Sequence, residues 1–342
     1  MMLETTWFVV WAILWGLYFV LDGFDLGLGS MMPFLARGEK ERRIVYNAMG
    51  PFWDGNEVWL ITAGGVTFAA FPAAYAVMFS GMYTALMLLL FALILRGVAF
   101  EFRNKVDSPA WRRIWDRALV LGSFLPALLL GVAFANIFMG IPIDADGVFQ
   151  GSILTLLNPY GLAGGVLFVL LFLVHGCLWL AVRGMGELRD RAGRMAGRLW
   201  FALAGFAVLF LLLTAVYTMV YDNYLAFPLL WLILALPLFG LALTRIFISA
   251  GKWAKAWGAS ALTIMGTALF GVAGIYPALL PSSLNPAYSL TIQNASSSPL
   301  TLKIMLGVAL VFVPVVLIYQ AWVYKKFSHQ LDFADLEYDG AY

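Results

Sequence analysis

Residues 161–182 read Gly161-Leu162-Ala163-Gly164-Gly165-Val166-Leu167-Phe168-Val169-Leu170-Leu171-Phe172-Leu173-Val174-His175-Gly176-Cys177-Leu178-Trp179-Leu180-Ala181-Val182, without one Asp, Glu, Lys or Arg. A helix needs about 20 apolar residues to cross the hydrocarbon core of a bilayer, so this stretch predicts a transmembrane helix. The whole chain has the same character. Of its 342 residues 63% are hydrophobic and only 12% are charged, about half the roughly 25% of a soluble domain. Mean hydropathy is +0.88. A soluble fold has too little interior to hide that much apolar surface, so lipid is the main solvent. Disordered chains are poor in aromatic residues, and this one has 16%. Cys177 is the single cysteine, which excludes a disulfide scaffold or a cysteine metal cluster. The net charge of +2 points to no nucleic acid or other polyanion.

Nine stretches carry the apolar signal: roughly 6–28, 52–71, 75–95, 118–138, 161–182, 199–220, 225–246, 257–279 and 302–324. They predict an all-α integral membrane protein of nine transmembrane helices packed as helical bundles, a single polytopic membrane domain over 1–342. The first stretch is expected to stay in the mature fold, because no positive residue precedes it and two Asp lie near its end.

The basic residues set the orientation. Arg37 to Arg43, Arg96 to Arg117, Arg183 to Arg198, Arg245 to Lys255, and Lys325 with Lys326 fall in alternate connections, which places 20 of the 21 basic residues on one side and Lys303 on the other. The positive-inside rule then predicts an outside N-terminus and a cytoplasmic C-terminus. The outer connection 280–301, rich in Pro and Ser, is expected to form a surface cap, and the acidic tail 327–342 a solvated end.

Ionisable groups inside a membrane are expensive and mark function by default. Asp22 and Asp25, three apart, share a helix face near the inner end of the first span. At about 1.5 Å per residue Asp22 lies on the order of 9 Å above that end. Asp54 and Glu57, also three apart, open the second span. The four acids are expected at one depth near the cytoplasmic face, with no Lys or Arg deep in either span to neutralise them. Such carboxyls suit proton uptake, and with Asn56 they also offer oxygen ligands for a cation. Structural readings compete: Asp22 as an interfacial helix end, Asp25 as the exit from lipid, Asp54 as a helix cap or a favourable charge at a positive helix end.

His175 is expected to make an interhelical hydrogen bond beside Gly176 rather than to ligate haem. The only other histidine is His329 in the tail, so the chain lacks ligands for several haems. Gly23 with Gly27, and Gly161 with Gly165, place small residues four apart and allow close helix approach. Trp7, Trp200, Trp257 and Trp322 fit an aromatic belt.

Several runs then resemble one family. Asp22-Gly23-Phe24-Asp25-Leu26-Gly27, Glu41-Arg42-Arg43 and Trp53-Asp54-Gly55-Asn56-Glu57-Val58-Trp59-Leu60-Ile61-Thr62-Ala63-Gly64-Gly65 look like subunit II of the cytochrome bd quinol oxidases. Phe79-Ser80-Gly81, Gly122-Ser123-Phe124, Leu157-Asn158-Pro159, Pro281-Ser282-Ser283 and Ser298-Pro299-Leu300-Thr301-Leu302 follow in the family's order, so the resemblance covers nearly the whole chain. It implies a respiratory complex in a prokaryotic plasma membrane that oxidises a quinol and reduces dioxygen to water, taking the substrate protons from the cytoplasm. It implies a homologous haem-bearing subunit I with the quinol site, two haems b and one haem d, and in some relatives a small single-span subunit. By the same resemblance this chain binds no haem, scaffolds subunit I and contributes to a polar proton path through Asp22 and Asp54, with Asp25 supporting; Glu57 stands where some relatives have a neutral residue. A structural quinone lies against this subunit in some relatives. From the bare residues a second function stays open: a self-sufficient proton or cation transporter.

Overall fold

A computed structural model of the chain describes residues 2–337; Met1 and the last five residues of the expected 1–342 domain and tail lie outside the described residues. The chain opens with α1 (Met2–Leu21) and α2 (Gly23–Leu35), which make one 34-residue apolar stretch interrupted only at Asp22. A short polar helix α3 (Gly38–Met49) leads to α4 (Trp53–Ala70), α5 (Pro72–Gly81) and α6 (Tyr83–Phe102). Then come α7 (Pro109–Met139), α8 (Ile153–Leu156), α9 (Pro159–Arg183), α10 (Gly186–Tyr217), α11 (Val220–Ala226), α12 (Trp231–Ser249) and α13 (Trp253–Ile275). A two-stranded antiparallel hairpin, β1 (Ala278–Leu280) with β2 (Leu290–Thr291), precedes α14 (Pro299–Lys326).

Eight helical stretches among the described residues are long and apolar enough to cross a membrane. Against the nine expected, the exception is α4, where Asp54, Asn56 and Glu57 dilute the apolar run over its first turns. The expected span 75–95 is divided: Pro72 starts α5, the helix breaks after Gly81, and α6 carries the crossing stretch. The first stretch runs further than expected. α2 continues for 13 residues, so roughly 20 Å of helix separates Asp22 from its end, because Leu26, Leu28, Met31, Met32 and Leu35 are all still buried.

The centre of the molecule is α9, with 78% of its apolar stretch buried, whereas α10 and α12 reach 17% and α14 only 6%. In lipid no hydrophobic force drives helix against helix, so close packing must come from small residues. A Cβ on Gly27 would overlap the Phe172 carbonyl, and one on Gly176 would overlap the α2 backbone at Leu28. Gly131 and Gly164 do the same for α7 against α9. Of the glycines whose spacing is read from the sequence, Gly27 meets α9 and Gly165 meets α7 at close range.

At the end opposite the basic connections, the Pro/Ser-rich segment forms the expected cap. Ser282 Oγ donates to the Ile143 carbonyl at 2.6 Å, and Ser297 N–H donates to the Ala70 carbonyl at 2.9 Å, closing the end of α4. One expectation changes and another is refined. Trp7 is buried, its Nε1–H donating to the Leu302 carbonyl at 3.0 Å between α1 and α14, so it belongs to the packing rather than to an aromatic belt. The described part of the tail is mostly exposed, as expected, but it is anchored at two points. Leu331 N–H donates to the Arg183 carbonyl at 2.6 Å, Arg43 donates to the Leu336 carbonyl at 2.9 Å, and both leucines are buried. The last carbonyls of α9 have no intrahelical donors, and the tail supplies one.

Gly27→Ala is expected to lower stability by about 1–3 kcal/mol through overpacking, while Gly65→Ala, whose new methyl meets open space, changes it by less than about 0.5 kcal/mol. Thermal unfolding of the two purified variants checks this; equal midpoints would remove the glycine contact from the account of packing.

Candidate functional site

The interruption between α1 and α2 places Asp22 and Asp25 one helical turn apart, and both are fully buried. α4 brings Asn56 and Glu57 alongside, and α6 brings Arg96. Arg96 Nη2 donates to Asp22 Oδ1 at 2.7 Å and also to Glu57 Oε1. The Tyr18 ring lies beside Asp22. Asn56 Nδ2 donates to Asp25 Oδ2 at 2.7 Å, and Asn56 Oδ1 accepts from Gln320 Nε2 at 2.9 Å and from Tyr324 Oη at 3.0 Å. Trp59 Nε1 closes the chain on Gln320 Oε1 at 2.6 Å. Two hydrogen-bonded groups, Arg96 with Asp22 and Glu57, and Asp25 with Asn56, Gln320 and Tyr324, therefore lie side by side, with Asp22 and Asp25 one helical turn apart between them, and make a polar string from α6 to α14.

Three of the four expected acids, Asp22, Asp25 and Glu57, share this site. Asp54 does not: it is exposed in the first turn of α4, where its Oδ1 accepts from the Gly55 N–H at 2.6 Å. Glu57 bridges the two settings, its side chain 24% exposed while it pairs with the buried Arg96. The expectation of acids without a cationic partner fails at Arg96. The positive-inside reading counted it with the connecting loops, yet it lies fully buried inside α6. The signal was available: Gly97-Val98-Ala99-Phe100 keeps the run apolar beyond Arg96, so the span does not end there. Gln320 sits in a similar apolar run, Val315 to Val323, and was passed over.

Arg96 still has two nitrogens, Nε and Nη1, without a partner, and Asp22 Oδ2 and Asp25 Oδ1 are likewise unpaired and buried. Buried polar atoms seek hydrogen bonds because leaving them bare costs about 1–3 kcal/mol each. The arrangement can hold and hand on protons among three carboxyls around one guanidinium.

His175 is spent on structure. Its Nε2 lies 3.1 Å from the Val20 carbonyl and therefore donates to it, its Nδ1 lies 2.6 Å from Ser260 Oγ, and its ring stacks on Trp257 at 5.2 Å. Both ring nitrogens tie α9 to neighbouring helices, as expected, and neither fits haem iron.

A second ionic cluster closes the basic end. Arg103 donates to both oxygens of Glu39, at 2.8 and 3.0 Å, and to Asp116 Oδ1 at 2.7 Å, and its guanidinium lies over the Tyr46 ring at 4.8 Å. Burial works against the Arg103 charge, but the two carboxylates outweigh it and hold its pKa above the ordinary value. For Glu39 burial pushes upward, and the hydrogen bonds and charge of Arg103, with Arg112 and Arg42 nearby, bring its carboxyl below the usual range.

An apolar groove of about 700 Å³ opens between α4, α5, α6 and α7, lined by Gly64, Gly65, Phe68, Tyr75, Met82 and Leu86 among others.

Comparison with known proteins gives one family. The model for cytochrome bd terminal oxidase subunit II matches residues 3–327. The cytochrome bd-I ubiquinol oxidase subunit 2 of Escherichia coli (strain K12) is 39% identical over 365 residues, covering 97% of this chain and 95% of that one. The cytochrome bd ubiquinol oxidase subunit 2 of Bacillus subtilis (strain 168) is 39% identical over 336 residues, covering 96% and 98%. Among solved structures, the bd oxidase from Geobacillus thermodenitrificans shares the fold at a TM-score of 0.79 and 18% identity, over 96% of this chain and 99% of that one.

Two predictions follow from the ion pairs. Arg96→Gln leaves buried carboxylates without their cation and is expected to cost about 3–5 kcal/mol; adding Asp22→Asn recovers part of it. A double-mutant cycle by denaturation of the purified protein measures the coupling, and additive losses would deny the pair. Glu39, with its lowered pKa, contributes stability that is present above the unfolded carboxylate value of about 4.3 and is lost as pH falls through the lower folded value. The stability gap between wild type and Glu39→Gln is therefore expected to be constant near neutrality and to close in acid. A gap that does not change with pH contradicts this.

Proposed function

The chain belongs to the cytochrome bd terminal oxidase subunit II family, and from that premise we propose how it serves the enzyme. It is a multi-pass protein of the bacterial inner membrane and a subunit of a quinol-oxidising respiratory complex. Its part is to scaffold a haem-bearing subunit I, which holds the haems b and d and the quinol site, and to lead protons from the cytoplasm toward dioxygen reduction. The nine crossings count α4 as the ninth, within one membrane domain, with the basic connections and the C-terminus on the cytoplasmic side.

The observation that carries the proton path is the polar string itself. Exposed Asp54 and half-open Glu57 mark its mouth, Arg96 and Asp22 its first buried step, and Asp25 with Asn56 its continuation to Gln320 and Tyr324. Three carboxyls around one guanidinium leave two negative charges to balance in a low-dielectric setting, and protons supply the balance. Arg96 sets how many are held at once. The string ends on α14, whose apolar stretch is only 6% buried; that face suits the large apolar contact of a partner subunit. The 700 Å³ groove suits the isoprenoid chain of a structural quinone, with Phe68, Tyr75 and Met82 supplying its apolar wall.

Glu57→Gln in the assembled oxidase is expected to lower oxygen-reduction turnover by on the order of 10²-fold while haem content stays constant. Asp54→Asn gives a smaller loss, because water can bypass an exposed carboxylate. Unchanged turnover in Glu57→Gln would sink the proton path, and proton transport by this chain alone in vesicles, without oxygen consumption, would replace the oxidase reading with that of a transporter.

A further inference from the structure

At the basic end of the bundle, apart from the carboxylate string, a groove of about 430 Å³ lies between the end of α2, α3 and the first turns of α7. Its head is cationic. Arg113 and Arg117 stand one turn apart on α7, exposed and without an acid partner among the described residues. Arg42 reaches in from α3, held 3.3 Å from Asp116 Oδ2. Asp116 is the single acid lining the groove, and its other oxygen is taken by Arg103 at 2.7 Å. That carboxylate thus positions Arg42 without cancelling Arg113 and Arg117.

Below the arginines the lining turns apolar. Leu121 and Phe124 continue the same face of α7 toward the membrane interior, and Met32 and Pro33 of α2 form the opposite wall. From Arg117 to Phe124 the helix rises about 10 Å, from headgroup depth into the acyl region. Leu121 is 54% and Phe124 42% exposed. The positive-inside rule accounts for basic residues at this end of the bundle, but it requires neither arginines converging from two helices nor an apolar trough leading away from them.

We propose that this groove is a binding site for an anionic glycerophospholipid, with its phosphate held by Arg42, Arg113 and Arg117 and one acyl chain laid along Leu121 and Phe124. Arginine suits the role because its planar fork binds phosphate oxygens bidentately. The site is distinct from the 700 Å³ groove, which has no cationic head. The lipid joins α2, α3 and α7 next to the Arg103 cluster, which fastens α3 and α7 to the end of α6, so it acts as a further clamp on the basic end.

The test uses the complete complex, equilibrated in detergent with phosphatidylglycerol and read by native mass spectrometry. Arg113→Gln with Arg117→Gln is expected to weaken binding roughly thirtyfold, from about one unit of surface charge attraction per arginine, with the complex still assembled. Lys325→Gln with Lys326→Gln, at the same end but away from the groove, leaves binding unchanged. Leu121→Trp fills the trough and is expected to weaken binding with every arginine in place. Inorganic phosphate, which has no tail, should neither bind at comparable concentration nor displace the lipid. The proposal is overturned if the arginine pair leaves binding unchanged, if the lysine pair weakens it equally, or if Leu121→Trp has no effect while phosphate competes, which would make the site one for free anions.

Discussion

A guanidinium held inside the lipid-spanning part of the chain is the constraint from which much of the architecture follows. Arg96 is fully buried and meets Asp22 and Glu57 through one nitrogen. An isolated charge at such depth is prohibitive, and a carboxylate there is hardly less so. The three groups must therefore meet, and with them the three elements that carry them: the α1–α2 junction, α4 and α6. That α4 holds its place with polar residues in its first turns is understandable in these terms, since Glu57 faces the arginine and Asn56 faces α14, while Asp54 turns outward.

Around this ionic centre the packing is made by the absence of side chains. α9 presents Gly164, Gly165 and Gly176 to α7 and α2, and these meet Gly131 and Gly27 in return. Backbones can then approach closely enough for dispersion to hold helices together where water-driven association is absent. His175 adds hydrogen bonds to two other helices at the same centre. The periphery is different: α10, α12 and α14 keep apolar faces outward, so lipid or another polypeptide completes them.

Much of this was legible in the sequence, and the gaps have physical causes. Apolar runs such as 161–182 located the helices, because length and hydropathy alone decide whether a segment crosses a bilayer. The same measure is least decisive at the second and third spans, where Asp54 to Glu57 lower the hydropathy of α4 and Gly81 divides a run that composition reads as continuous. Asp22, Asp25 and Glu57 stood out as costly residues and came together in space. Asp54 looked equivalent because helical spacing places it with Glu57, but a first-turn residue can turn outward, and it does. Arg96 was hidden by a rule about charge and topology that treats each arginine as a marker of the membrane edge. Gln320 and Tyr324 could not be joined to Asn56 from sequence at all, since the link spans more than 260 positions and depends on how the last helix docks.

The bond from Leu331 to the end of α9 has an implication for biogenesis. Nearly 150 residues separate donor and acceptor, and the donor leaves the ribosome after every transmembrane helix has been made. Until then the carbonyl of Arg183 must be served by water or headgroups, so the central helix stays unlocked at its C-terminal end throughout insertion. The closing strap acts as a completion signal written into the chain: a polypeptide released early, with all its hydrophobic segments present, would still lack the final latch.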